Sequence, residues 1–401
     1  MLKKVLFISP TPTHPSNAGN RVHIKSLVTF FKEQHCDVHF LYLEFENFDV
    51  KAMDSFFNNN LEVVARDKIY QNRKTPGYIL WKIGVKLEHL KRRLQLAFGK
   101  ISKEQYQYNG EVDNYLSVFA RKEIKRVAKS SKYDMVICEY ASMSKSLTYF
   151  GENVFKILDT HDLFTDRFRV YLNNGTKPSW VSVYKDQERK ALNRANLLLV
   201  VRESERDFFS KLTNVPTGLY NYIPEIVAMP ERIFEKKLLY LASGNAINIS
   251  TIDFFLENIF PLILANDPDT KLIIGGNICE SLNIKSPNII LHGAVNDAKD
   301  FYLLGDIVIN PEKNGTGYKV KALEALAYGM PLVSTSAGCA GATEPFQNHL
   351  LIADEPADFA EMVKTLFNQP KLLKTLSFKA HNWIKDYKNK IEGELINLLP
   401  V

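Results

Sequence analysis

The chain has 401 residues, of which 45% are hydrophobic and 24% are charged. This length exceeds what one hydrophobic core usually holds, and the composition excludes a mainly disordered chain. Apolar runs stay shorter than the roughly 20 residues of a membrane-spanning helix, so we expect no spanning segment. The net charge of +6 suits anionic ligands without choosing among sugar nucleotides, anionic lipids and nucleic acids.

The amino-terminal run MLKKVLFISP ends at Pro10 and is too short to be the apolar core of a signal peptide. The cysteines are far apart and lack the close pairs of a metal site. They are Cys36, Cys138, Cys279 and Cys339. We therefore expect free thiols and a cytoplasmic location.

The first half opens with strand, glycine-bearing loop, helix and strand, which is typical of a Rossmann-type unit. Lys4–Ser9 and Asp37–Leu43 are the predicted strands, and Gly19 lies near the end of the loop between them. This loop has no G-x-G-x-x-G pattern, which argues against a bound dinucleotide.

A basic amphipathic segment follows at Val85–Lys100. Leu87, Leu90, Leu94 and Phe98 form an apolar stripe among lysines and arginines. Either the segment is an ordinary surface helix that packs its leucines on the core, or it lies on an anionic membrane. We favour packing on the core.

Further strands are predicted at Tyr133–Glu139 and Val154–Leu158, and the sequence Asp159-Thr160-His161-Asp162 comes directly after the second one. Open α/β sheets bind ligands beyond the carboxyl ends of their strands, so this polar cluster is a candidate site. The alternative is that Asp159 and Asp162 cap the next helix while His161 is polar surface.

The strand–loop–helix pattern restarts in the second half, which predicts two Rossmann-like domains that meet near residues 215–235. Leu238–Ala242 is a predicted strand, followed by Ser243 and Gly244 and by a helix from about Ile249 to Ala265. The acidic triplet at residues 267–269 lies between that helix and the next strand, so we favour a turn over a metal site.

The most informative stretch is Asn310–Thr335, NPEKNGTGYKVKALEALAYGMPLVST, which predicts strand, glycine loop, helix and strand. A helix that starts from a glycine loop offers unpaired N–H groups and the positive end of its dipole to a phosphate. The candidate ligand residues here are Gly315, Thr316, Gly317, Lys319, Lys321 and Glu324.

This stretch resembles the nucleotide-sugar site of retaining glycosyltransferases of family four, the group 1 type. Many members carry paired glutamates, E-x7-E, but here Thr316 stands at the first position. The chain is more similar to a subgroup with the pattern G-T-G/R-x-K-x-x-E-A-x-A-x-G-x-P. The resemblance covers roughly 25 residues. The order and length of the elements and the positions of glycine and proline agree with the family.

The resemblance implies an α/β fold of the GT-B type, with two Rossmann-like doubly wound domains facing a central cleft and a C-terminal helix that crosses back. Residues 1–225 would form the acceptor-side domain, 226–380 the nucleotide-sugar domain and 381–401 the returning helix. Trp383 and Ile384 would anchor that helix on the first domain.

The resemblance also implies the site residues. Glu324 would bind the ribose hydroxyls, and Lys319 and Lys321 would hold the diphosphate. The other residues expected near the donor are Gly19, Ser243, Gly244, Gly315, Thr316 and Gly317. The expected catalytic residues are His161, Asp162 as second choice, and Lys321.

The implied activity is transfer of a sugar, with retention, from a nucleoside-diphosphate sugar to a glycan or lipid-linked acceptor in surface polysaccharide or glycoconjugate synthesis. We expect no cofactor, no essential metal and no nucleic-acid partner. Peripheral contact with the inner face of an anionic membrane stays open and gains weight if the acceptor is lipid-linked. Two alternatives share the fold: a sugar-nucleotide 2-epimerase and a non-catalytic partner subunit. The glycine loop, Lys321 and Glu324 argue against the second, because a scaffold has no need of them.

Overall fold

The structure, a computed structural model, describes residues 3–400 except 17, 68–74, 174, 223, 228–233, 296, 314–319 and 340–350. The chain divides into two compact units. Unit 1 comprises Met1–Tyr222 with Glu392–Val401, and unit 2 comprises Ile223–Ile391. The domain boundaries expected at 225/226 and 380/381 stay predictions.

The described strands of unit 1 form one parallel sheet in the order β3-β2-β1-β4-β5-β6-β7. The strands are β1 (Lys4–Ser9), β2 (Asp37–Leu43), β3 (Leu61–Val64), β4 (Met135–Glu139), β5 (Phe155–Asp159), β6 (Leu197–Val200) and β7 (Thr217–Leu219). The strands predicted from the sequence are confirmed, whereas the short edge strands β3 and β7 were not predicted. The strand order reverses between β1 and β4, and ligands bind at such a switch point in open α/β sheets.

Helices connect these strands and cover the sheet. They are α1 (Gly19–Glu33), α2 (Val50–Phe57), α3 (Pro76–Ala97), α4 (Lys103–Tyr108), α5 (Val118–Ser130), α6 (Phe168–Asn173), α7 (Lys185–Leu192) and α8 (Glu203–Ser210). Phe7 of β1 contacts Phe31 of α1 edge-on, with 5.9 Å between ring centroids. Both are fully buried, as expected for a parallel sheet that helices cover on its faces.

Unit 2 repeats the plan, with its described strands in the order β10-β9-β8-β11-β12-β13, all parallel. The strands are β8 (Lys237–Leu241), β9 (Lys271–Gly275), β10 (Ile289–Gly293), β11 (Ile307–Asn310), β12 (Leu332–Ser334) and β13 (Leu351–Ile352). The helices are α9 (Ala246–Asn258), α10 (Phe260–Asn266), α11 (Ala298–Tyr302), α12 (Val320–Ala327), α13 (Pro356–Asn368) and α14 (Pro370–Leu398).

The helix expected over Ile249–Ala265 is two helices, α9 and α10, which meet at Ile259. Pro261 has no N–H for the helix ladder, so it is tolerated only in the first turn of a new helix. The stretch Ala246–Asn266 has 21 residues and a mean hydropathy of 1.4, enough for a membrane span by length and composition. We assign it to the core of unit 2, because Phe255 and Ile263 are buried there.

Helix α14 begins in unit 2, and its last turns, from Glu392, group with unit 1. The expectation that Trp383 and Ile384 anchor it on the first domain is wrong, because both pack in the core of unit 2. Contact with unit 1 comes later, where Glu394 pairs with Arg206 of α8.

Candidate functional site

Two carboxylates lie side by side at the carboxyl edge of the unit 1 sheet. Glu139 is the last residue of β4, Asp159 is the last residue of β5, and the two are paired in register. Residues paired in this way project from the same face of a sheet, so their side chains are neighbours. Both side chains are completely buried.

Two histidines bind this carboxylate pair. Nε2 of His161 lies 2.6 Å from Oε2 of Glu139, and Nε2 of His23, on α1, lies 2.7 Å from Oδ2 of Asp159. The same His161 nitrogen is 3.7 Å from Oδ2 of Asp159. We call these four residues the His–carboxylate cluster.

Burial and the surrounding charges shift the pKa values of the two acids in opposite directions. Burial raises the pKa of Glu139 well above its ordinary value, and the neighbouring charge of Asp159 raises it further. Burial also opposes ionisation of Asp159, but the charges of His23 and His161 outweigh it and lower the pKa of that carboxyl. Glu139 therefore favours its protonated form and Asp159 its ionised form.

The backbone beside the cluster is strained. Tyr140 has φ +70° and His161 has φ +59°, in the left-handed region that residues other than glycine rarely adopt. Their rings stack with 4.0 Å between centroids and 15° between planes. Asn20 donates a 3.0 Å hydrogen bond to the hydroxyl of Tyr140. Strain of this kind costs about 1–3 kcal/mol per residue and persists where surrounding contacts over-determine it.

These contacts decide between the two interpretations of the Asp159–Asp162 segment. The helix-cap alternative is wrong for Asp159, which binds His23, and His161 is not polar surface, because its side chain is only 6% exposed. Asp162 is separate from the cluster and pairs with Arg167 at 2.7 Å. The sequence analysis missed Glu139 and His23. Glu139 could have been found from the sequence, because it is a charged residue at the end of a buried strand. His23 could not, because only the fold brings it next to Asp159.

The loop after β1 ends at Gly19, which is exposed at the first turn of α1. Arg21, close to this loop, is buried and pairs with Glu46 at 2.5 Å, so its guanidinium is engaged within unit 1. Asn20 connects the loop to Tyr140 and, through the stacked ring, to His161.

In unit 2, Lys321 lies in the first turn of α12 and is half-buried. Its ammonium donates a 2.7 Å hydrogen bond to Oδ1 of Asn248 and lies 4.8 Å from the ring centroid of Tyr240. The amide of Asn248 donates in turn to the backbone oxygen of Ser243 at 2.9 Å. Asn248 therefore connects the lysine of one helix to the loop after β8.

Ser243 and Gly244 are exposed in that loop. The N–H of Gly244 donates to the side chain of Asn277 at 3.1 Å. A Cβ at Gly244 would lie 3.3 Å from the backbone oxygen of Asn277, so the loop is closely packed there.

Glu324 follows Lys321 by one turn of α12 and is half-buried. The hydroxyl of Tyr302 donates to its Oε2 at 3.4 Å.

Gly315, Thr316, Gly317 and Lys319 lie outside the described residues. In the acidic triplet, Asp267 pairs with Lys236.

Helix α3 contradicts the expectation that its leucines pack on the core. Its large apolar side chains are exposed, with Leu87 at 63% and Phe98, just after the helix, at 76%. The set comprises Ile79, Leu80, Ile83, Leu87, Leu90, Leu94 and Phe98, which we call the α3 apolar stripe. At 3.6 residues per turn it covers about 100° of the helix circumference.

The opposite face of α3 holds the helix on unit 1 through polar groups. Arg92 is buried, pairs with Glu111 at 2.5 Å and with Asp186 at 2.8 Å, and lies over the ring of Tyr184. Lys82, Lys86, Lys91 and Arg93 are exposed and flank the stripe.

Among the described residues, His23, Asp159 and His161 are also a group whose ligand atoms lie close enough to hold a metal ion, within 4.8 Å of one another. The 2.6 and 2.7 Å contacts of the cluster are hydrogen-bond distances. Two ligands about 2.1 Å from one tetrahedral ion lie farther apart than that. The geometry therefore fits hydrogen bonding.

Residues 235–369 match the family model described as "Glycosyl transferases group 1". A Klebsiella pneumoniae relative, an uncharacterized 44.6 kDa protein in the cps region, is 26% identical over 298 residues, which is 68% of this chain and 75% of that protein.

Solved structures resemble the whole chain. TarM has a TM-score of 0.65 at 14% identity, with 99% of each chain covered. Sucrose-phosphate synthase of Thermosynechococcus elongatus has a TM-score of 0.64 at 12% identity, with 99% of this chain and 98% of that chain covered. HepE of Anabaena, solved with UDP and glucose, has a TM-score of 0.59 at 12% identity, with 96% and 95% covered.

The fold is that of the GT-B glycosyltransferases, two Rossmann-like α/β units with parallel sheets. The second unit carries a group 1 glycosyltransferase domain, and the protein is a transferase enzyme.

Proposed function

We propose that the protein transfers a sugar from a nucleoside-diphosphate sugar to a glycan or lipid-linked acceptor, with retention of anomeric configuration. The observation that carries this proposal is the arrangement of Lys321, Asn248 and Glu324 within the group 1 domain. UDP bound in solved TarM and HepE supports the donor class, and the relative from a cps region supports surface polysaccharide synthesis.

Lys321 would hold the diphosphate and stabilise the charge that grows on it as the sugar leaves. Its bond to Asn248 fixes the ammonium beside the Ser243–Gly244 loop. Glu324 would accept hydrogen bonds from two vicinal ribose hydroxyls. We keep Lys319 and the Gly315–Gly317 loop as donor-side residues by the family resemblance.

We assign the acceptor side to unit 1, with His161 as the group that positions acceptor or donor sugar. Asp162 stays second, since Arg167 engages its carboxylate. Gly19 stays a donor-phosphate candidate at the start of α1. We propose no cofactor and no essential metal for the transfer.

A ligand screen tests the donor assignment. Calorimetry with UDP, GDP, ADP and the matching monophosphates should show one diphosphate that binds at least about tenfold more tightly than its monophosphate, since one charge-assisted contact is worth about 1.5–3 kcal/mol. Nucleotide release that needs an acceptor supports transfer. Release without an acceptor, with an epimerised sugar, would support the epimerase instead, and failure of every nucleotide to bind would leave the partner-subunit alternative.

We also propose that the α3 apolar stripe lies on an anionic membrane. Seven large apolar side chains on one face are exposed in the part of the chain that the structure describes, and lysine and arginine flank them. This is the composition of an interfacial helix, whose apolar face enters the acyl boundary while its cations meet lipid phosphates. The location would place the enzyme beside a lipid-linked acceptor.

Vesicle sedimentation tests this proposal. The protein should bind vesicles of phosphatidylcholine with phosphatidylglycerol, and salt should weaken that binding. Replacing Leu87, Leu90 and Leu94 by Ser should lower the partition at least about tenfold, because each buried leucine is worth about 1.5–3 kcal/mol. Ile247→Ser with Leu262→Ser, exposed elsewhere, is the matched control. Equal partition of both variants, or self-association that disappears with the stripe variant, would contradict a membrane role.

A further inference from the structure

The His–carboxylate cluster contains more than a histidine that meets substrate. We propose that Glu139 and Asp159 share one acid proton and act as a unit that positions His161, with His23 holding Asp159 in place. This inference rests on the proposed role of His161 in transfer and identifies the residues that would prepare it.

The geometry gives each member a different task. The in-register ends of β4 and β5 fix the two carboxyls beside each other. Oε2 of Glu139 holds Nε2 of His161, and Oδ2 of Asp159 holds Nε2 of His23. Tyr140 covers one face of the His161 ring, which leaves the imidazole little freedom to rotate.

The remaining carboxyl oxygens support a shared proton. Oε1 of Glu139 and Oδ1 of Asp159 are buried, and neither meets a hydrogen-bond donor elsewhere in the described part of the chain. If both carboxyls were ionised, Oε1 of Glu139 and Oδ1 of Asp159 would each be a buried acceptor without a donor, which is unfavourable. One proton between them satisfies both oxygens, as in other dyads of buried carboxyls.

Three ionisable neighbours of the cluster stay neutral, so they do not titrate together with it. Burial raises the pKa of Cys138 to about 12 and raises those of Tyr140 and Tyr220 well above their usual range, so all three stay neutral. Among the described residues, the titratable groups that face the cluster are His23 from α1, Cys138 from β4, Tyr140 just after β4, His161 just after β5 and Tyr220 just after β7. The charges of Arg194 and Asp162 act on Cys138 and Tyr140 respectively.

Replacement of each acid by its amide, Glu139→Gln and Asp159→Asn, should therefore have different effects on turnover. Glu139→Gln keeps an oxygen for His161 and supplies an N–H in place of the acid proton, so turnover should stay within about threefold of the parent. Glu139→Ala releases His161 and should lower kcat at least about tenfold, since small misplacement of a catalytic group is costly. Asp159→Asn removes the charge that binds both histidines and should behave like Glu139→Ala.

The pH profile of kcat gives a readout that a purely structural role would not move. The parent should lose turnover as rising pH removes the shared proton, and Glu139→Gln should keep turnover to higher pH because its amide has no proton to lose. Loss of activity in Glu139→Gln equal to that in Glu139→Ala, or identical alkaline limbs in parent and Glu139→Gln, would overturn the proposal. A stoichiometric metal ion bound to the parent and absent from Glu139→Gln would overturn it as well.

Histidine NMR separates this inference from the proposed activity. In ¹⁵N-labelled protein the Nε2 signal of His161 should report a hydrogen bond in the parent and in Glu139→Gln, and its loss in Glu139→Ala. This pattern in a protein without transferase activity would refute the proposed function and keep the shared-proton unit. The same Nε2 signal in all three proteins would refute the unit whatever the activity.

Discussion

The two candidate regions differ in how deeply their charged side chains are buried. In unit 1 the carboxyls of Glu139 and Asp159 are completely buried and bound to histidines of the same unit. In unit 2 Lys321 and Glu324 are half-buried on α12, next to an exposed loop. The first arrangement suits a group whose position must be fixed before substrate arrives, and the second suits groups that bind an incoming ligand.

This difference implies that the two regions fail in different ways when mutated. Changes at Glu324 and Asn248 in unit 2 should appear mainly in nucleotide affinity, because they bind or orient groups that meet the ligand. Loss of Lys321 should lower turnover more than affinity, because the charge of the leaving group grows in the transition state. Changes in unit 1 should appear mainly in turnover and its pH dependence, because the cluster acts on the geometry of His161.

The largest effect is expected for Glu324→Ala. Hydrogen bonding of the ribose to the carboxylate, worth about 1.5–3 kcal/mol in our proposal, would be lost, so nucleotide affinity should fall roughly ten- to a hundredfold. Calorimetry measures it, with Glu361→Ala on an exposed face of α13 as control. A 2′,3′-dideoxy nucleotide should bind Glu324→Ala and parent equally; unequal binding would move Glu324 away from the ribose.

His161→Ala should lower turnover about tenfold or more while nucleotide affinity changes little. The imidazole belongs to unit 1, whereas Lys321 and Glu324, the side chains that we propose for the nucleotide, belong to unit 2. Steady-state kinetics at saturating donor measures kcat, and His39→Ala, which removes a partly exposed imidazole bound to Asp37, is the matched control. A near-normal rate for His161→Ala would remove this residue from the mechanism.

Asn248→Ala should have a smaller effect, roughly three- to tenfold on diphosphate affinity. The lysine keeps its charge but loses the 2.7 Å bond that orients it, and such a bond contributes about 0.5–1.5 kcal/mol. Lys321→Ala should lower diphosphate affinity further, with affinity for the bare nucleoside unchanged. Equal losses for nucleoside and diphosphate in Asn248→Ala would show that Asn248 supports the fold of the loop instead.

Much of this organisation follows from local sequence patterns. Strands and tight loops depend on residues that are neighbours in the sequence, so the apolar runs and glycine loops predicted the strands and the two parallel sheets. The contacts of Glu139 with His161 and of Asn248 with Lys321 join residues 22 and 73 positions apart, so no local pattern reveals them. The α3 stripe was misjudged for a related reason. Periodicity shows that a helix has an apolar face, but only the fold shows that Arg92 takes the inward position.

The smallest expected effect concerns stability and tests whether the buried acid proton exists. A carboxyl whose folded-state pKa is raised binds more protons in the folded state, so its contribution to stability is fully present below the ordinary glutamate pKa and is lost as pH rises through the folded value. The free energy of unfolding of the parent should therefore fall over this window, by at most about 1.4 kcal/mol per pH unit for Glu139.

The difference between parent and Glu139→Gln isolates this contribution. Burial also raises the pKa of Glu188 and of Glu205, so the parent carries further slopes of the same sign, but Glu139→Gln keeps both. The Tm of Glu139→Gln minus the Tm of the parent should therefore increase with pH, by a few degrees in total. Glu62→Gln, an exposed change on β3, should give a flat difference. A flat difference for Glu139→Gln as well would mean that Glu139 is ionised in the folded protein, which would leave two adjacent buried carboxylates to be balanced by both histidines as cations.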